Sequence, residues 1–108
     1  MNSNTKFAVL FSLVLVVIIS CSPALYLPTL ADSQNAGAPL EALTRGRNLY
    51  VTNCENCHYL YKPQHFTRNE WRKVMPDMQK RAEINDQDKT LIINYLLARS
   101  KDFQLQVH

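Results

Sequence analysis

Three residues near the middle of the chain have types and spacing that do chemistry together: Cys54-Glu55-Asn56-Cys57-His58 sets two thiols two residues apart with an imidazole immediately after. Two sulfurs separated by about one helical turn can reach the two vinyl groups on one edge of a porphyrin, and the following histidine projects under the iron. The motif therefore reads as the attachment site of one covalent haem c, with Cys54 and Cys57 as thioethers and His58 as the proximal iron ligand. Two other chemistries use close cysteine pairs. A structural zinc site needs four ligands, and the chain holds neither a second cysteine pair nor a spaced histidine pair, His65 and His108 being poor substitutes. A thioredoxin-like dithiol belongs among strands alternating with helices, and no strand pattern is visible.

The elements that must carry this motif read as helices. Leu40, Leu43, Gly46 or Arg47, and Tyr50 recur three or four residues apart, which predicts a helix running into the motif. Thr67-Arg68-Asn69-Glu70 is a capping box that opens a second helix through Trp71, Val74 and Met75; Pro76 should stop or kink it. Asn85 can cap a third, with Asp86 and Asp88 in its first turn and Leu91, Ile92, Tyr95, Leu96 and Ala98 at helical spacing. Tyr59 to Phe66 has no clean period and is expected as a loop over one haem edge. Trp71, Tyr59, Tyr61 and Phe66 are expected in the pocket wall, where aromatic rings offer large buried area.

The opposite side of the iron is less determined. Trp71, Met75 and Met78 lie at i, i+4 and i+7, one helical face, so either methionine can reach the metal and the other then packs beside it. Such a stripe is ordinarily core, but a haem with an open axial position makes one of its thioethers a candidate ligand. His65 is a further candidate, and its ligation should give a lower potential than methionine.

At 108 residues there is room for one small domain. Met1 to Lys6 is short and polar with one cation, and Phe7 to Ile19 is apolar apart from Ser12, the layout of a secretory signal. Its core is shorter than the roughly 20 apolar residues of a spanning helix. Ile18-Ile19-Ser20-Cys21 resembles a bacterial lipobox, implying that Cys21 is lipidated and that the protein is exported and anchored to a membrane. Residues 1–20 are thus expected as signal peptide, 21–39 as a proline-containing tether, and 40–108 as the haem domain. Removing Lys6 takes the formal charge from +3 to +2, and the cations are scattered, so nucleic acid is not an expected partner.

Residues 41–97 resemble the monohaem cytochrome c domains of bacteria. Gly46-Arg47-Asn48-Leu49-Tyr50 looks like that family's first helix, whose glycine and aromatic meet a later helix, here at Tyr95-Leu96. Thr67, Glu70-Trp71, Val74, Met78, Arg81-Ala82 and Ile84 look like a small-cytochrome subgroup in which a tryptophan helix delivers the methionine; this implies Met78 as distal ligand, while Met75-Pro76 resembles the Met-Pro pair of other cytochromes and implies the alternative. The resemblance implies an all-α, cytochrome c-like fold of three to four helices around one haem, and a non-enzymatic carrier of electrons between redox partner proteins outside the cytoplasm, with no small-molecule substrate. Two other readings stay open: a haem subunit of a larger periplasmic oxidoreductase, and a haem-based ligand sensor with an open sixth site.

Overall fold

The computed structural model describes residues 25–54 and 59–106. Cys21, Cys57, His58, His108 and the apolar run from Phe7 to Ile19 lie outside the described residues, and so do the expectations attached to them. Among the described residues five α-helices follow one another: α1 (Leu30–Ala36), α2 (Leu40–Cys54), α3 (Arg68–Ala82), α4 (Asp86–Ala98) and α5 (Lys101–Gln106), with a 3-10 turn at Pro63–His65 between α2 and α3. The fold is all-α, and no strand occurs among the described residues. None of the described helices is long and apolar enough to cross a membrane.

The closest crossing is α2 on α4, and Gly46 makes it possible. A Cβ built there would run into the Leu91 carbonyl and come within 3.2 Å of the Tyr95 Cβ, so only a residue without a side chain lets the two backbones meet. Around this point Leu43, Tyr50, Ile92, Tyr95 and Leu96 are fully buried, each aliphatic contributing about 1.5–3 kcal/mol by leaving water.

The capping box opens α3 as the sequence predicts: the Thr67 hydroxyl accepts from the Glu70 N–H, and the Glu70 carboxylate accepts from the Thr67 N–H at 2.8 Å. Pro76 neither stops nor ends this helix, which continues to Ala82. The proline deprives the Arg72 carbonyl of its donor, but Pro76 and Arg72 both lie on the exposed side, where water can take the donor's place. The helix closes at Glu83, which adopts a left-handed conformation (φ 54°), with the Ile84 N–H donating to the Gln79 carbonyl at 3.3 Å. Asn85 then caps α4 by accepting from the Asp88 N–H at 2.8 Å.

The segment expected as a tether is, from Leu25 onward, part of the domain. Leu25 is buried, and the Tyr26 ring stacks on Tyr95 with centroids 4.6 Å apart. Their hydroxyls are exchanged reciprocally: Tyr26 donates to the Tyr95 carbonyl at 2.6 Å and Tyr95 to the Tyr26 carbonyl at 3.1 Å. Thr29 and Asp32 form a second capping box that starts α1, and Gly37 (φ 62°) ends it. Asp32 then pairs with Arg99 through two hydrogen bonds of 2.8 and 3.0 Å, and the Arg99 guanidinium also covers the Tyr26 ring. Proline and small polar residues concealed these tertiary anchors, because each partner lies some 70 residues away in sequence.

Candidate functional site

Helix α2 delivers Cys54 as its last residue, 8% exposed, in a cluster with Tyr50, Trp71 and Met75. One turn earlier, the Tyr50 hydroxyl donates to the Tyr61 carbonyl at 2.8 Å. This bond ties the chain that leaves the motif back onto the helix that enters it. Burial, followed by the nearby Cys54 and Tyr95, pushes the Tyr50 phenol up, so it stays a neutral donor.

Beyond the motif, aromatic rings stand against one another. Tyr61 and His65 stack at 4.6 Å, and Phe66 meets Trp71 edge-on at 4.9 Å. The indole Nε1 of Trp71 donates to the Pro63 carbonyl at 2.8 Å, fixing the 3-10 turn above α3. A fully buried Trp71 with this bond satisfies both its apolar body and its polar tip.

Between this loop and α3 lies a cavity of about 500 Å³, lined by Tyr61, Phe66, Val74 and Met78, with Lys73, Asp77 and Arg81 beside them. On a helix, positions 74, 78 and 81 share a face. The two methionines are separated by this geometry. Met78 lines the cavity, whereas Met75 is 2% exposed within the apolar core. Asp77 and Arg81 form an exposed ion pair at 2.8 Å.

Two residues expected in the wall do not line this cavity. Tyr59 is 89% exposed, because the chain reaches the aromatic cluster only at Tyr61. Trp71 does not line the cavity; it stands one layer behind, supporting Phe66 from the core side. Tyr61 and Phe66 do line it. His65 is exposed and stacked outside the lining. Lys73, Val74, Asp77 and Arg81 were not expected in the wall, although their spacing on the face of Met78 carried the signal.

This donor set fits a haem. The cavity falls within the roughly 300–1,000 Å³ of cofactor sites, four of its lining residues are aromatic or apolar, the soft thioether of Met78 is among them, and Lys73 stands at its side as a cation while Arg81 is paired with Asp77. Residues 50–107 match the dihaem cytochrome c family, over more than half of the chain. No curated protein and no solved structure matches. The family is a dihaem one, which corrects the expected resemblance to monohaem domains; one Cys-x-x-Cys-His motif is present in the 108 residues.

Proposed function

The chain belongs to the dihaem cytochrome c family, and from that premise we propose that it carries single electrons on one covalent haem c, as a protein exported and anchored to a membrane through Cys21. Cys54 and Cys57 would hold the group by thioethers, and His58 and Met78 would be its iron ligands. The haem supplies an iron that exchanges one electron between ferrous and ferric states. Met78 favours the ferrous form through its soft sulfur and keeps other ligands off the metal. Tyr61 and Phe66 exclude water, and Lys73 and Arg81 are placed to meet acidic groups. The observation that carries this reading is the division between the two methionines: Met78 opens on the cavity while Met75 is enclosed in the core.

The membrane and export elements rest on the signal layout and on Ser20-Cys21. Redox proteins are the expected partners. A second reading draws on the family's description: a match to a dihaem family favours a haem subunit of a larger periplasmic oxidoreductase.

A redox titration of the holoprotein, followed by absorbance, tests the carrier. The far-red band of thioether-to-ferric ligation should vanish in Met78→Ala and survive in Met75→Ala. Rapid binding of carbon monoxide by the untreated ferrous protein would instead indicate an open sixth site and sink the electron-carrier assignment. Mass spectrometry of the mature N-terminus separately checks Cys21: an unmodified residue beyond it excludes the anchor.

A further inference from the structure

A different face of α3 borders a second, smaller cavity, of about 160 Å³, between α1, α3 and α4 and partly open to solvent. Its polar lining is Arg68, Arg72, Asn35 and Asn94, its floor is Leu97 and Ala98, and no carboxylate faces into it. The Nε of Arg68 is buried without a hydrogen-bond partner. Among the described residues the side chains of Arg72, Asn35 and Asn94 make no hydrogen bond to protein either. Four donor-bearing side chains from three helices therefore converge on one small space.

The arrangement is electrostatically opposed to the helix that carries it. Arg68 and Arg72 form a like-charged i, i+4 pair, which repels, and they occupy the first two turns of α3, where the helix dipole and unpaired N–H groups disfavour cations. Of the acids nearby, only Asp102 feels the Arg68 charge, and no carboxylate lines the cavity itself. Asp102 accepts from the Arg68 backbone N–H at 2.9 Å and the Ser100 hydroxyl at 2.8 Å, Glu70 is held in the capping box, and Asp32 is held by Arg99. An anion in the cavity answers all of these conditions together, by accepting from the arginines, neutralising their repulsion and suiting the positive end of the helix.

We infer that the cavity between α1, α3 and α4 binds a small tetrahedral oxyanion of the phosphate or sulfate class, held by Arg68 and Arg72 with Asn35 and Asn94 as neutral donors. The volume selects for size: it is well below the roughly 300–1,000 Å³ of sites for larger molecules and several times the roughly 30 Å³ share of one water. A bound oxyanion bridges α1 to α3 and α4.

The test is calorimetric titration of the holoprotein with inorganic phosphate, chloride being exchanged to hold ionic strength constant, alongside the thermal midpoint. Saturable binding and a raised midpoint are expected, with affinity at least tenfold weaker in Arg72→Gln and unchanged in Arg45→Gln, an exposed arginine on α2 outside the lining. Because Arg68 also contacts Phe103, its variants bear on folding, and the exposed Arg72 carries the decision. Phosphate indistinguishable from chloride, or an Arg72→Gln protein that responds like the parent, overturns the site. Vesicles of phosphatidic acid, compared with phosphatidylcholine, distinguish the source: retention that depends on Arg72 assigns a lipid phosphate, and saturation by the free ion alone assigns inorganic oxyanion.

Discussion

The two sides of the central helix pair are built by different means. On the N-terminal side, Tyr26, Tyr95, Arg47, Asp32 and Arg99 satisfy one another in a closed network of hydrogen bonds and stacked rings. On the motif side, Tyr61, Phe66, Val74 and Met78 stand around a cavity of about 500 Å³ and leave it open. Rigidity is concentrated opposite the place where a ligand is needed. A site backed by Trp71 and Met75 can keep its shape while the thioether in front remains available to a metal.

The largest effect should come from dividing the two methionines. Met78→Ala is expected to abolish the far-red band with little loss of stability, whereas Met75→Ala should keep the band and lose about 2–5 kcal/mol, the usual range for emptying a core position; denaturant unfolding measures the second. A band lost in both, or in Met75→Ala alone, would erase the distinction between cavity and core. Gly46→Ala comes next. Its methyl meets the Leu91 carbonyl backbone, which cannot rotate away, so a loss of about 3 kcal/mol is expected, at the upper end of overpacking.

On the N-terminal side, Asp32→Asn should lose about 1–3 kcal/mol, less than for a wholly buried pair because Arg99 is partly exposed. Burial raises the Asp32 carboxyl, but hydrogen bonds from Arg99 and from the Thr29 N–H and hydroxyl outweigh it, so its titration lies below the ordinary value. Its contribution is complete above an unfolded value of about 4 and disappears as pH falls through the lower folded one. Acid unfolding of the parent should therefore steepen below pH about 4 relative to Asp32→Asn. At the alkaline end, burial pushes Tyr95 up to about 12 and raises Tyr26 and Tyr50 as well. Neutral phenols stabilise the fold below about pH 10, and this stabilisation is lost as pH rises through the folded values. Phenolate absorbance from these three should appear together with loss of helical circular dichroism; ionisation near pH 10 with the helices intact would contradict the packing.

Comparing two capping boxes shows what was legible. Thr67-Arg68-Asn69-Glu70 and Thr29-Leu30-Ala31-Asp32 have the same form, yet only the first is followed by an apolar period that marks a helix. Helix α1 is seven residues long, too short for a period to emerge, and its stability comes from Arg99 across the fold. Helices α2, α3 and α4 were readable because caps and apolar spacing agreed. Pro76 does not stop α3, because a proline on the solvent side of a helix leaves the orphaned carbonyl four residues earlier to water. In the site, residue type pointed to Tyr61, Phe66 and Met78, but nothing local separated an aromatic in the wall from Trp71 behind it, or from Tyr59 outside it.

The docking of Leu25 and Tyr26 onto α4 also limits distance. Three residues lie between Cys21 and Leu25, so the four Cα–Cα steps make a leash of about 14 Å at most. With a lipid on Cys21, the domain would skim the bilayer at nearly fixed height, and it would meet its redox partners by lateral diffusion in two dimensions rather than by reaching across the space beyond.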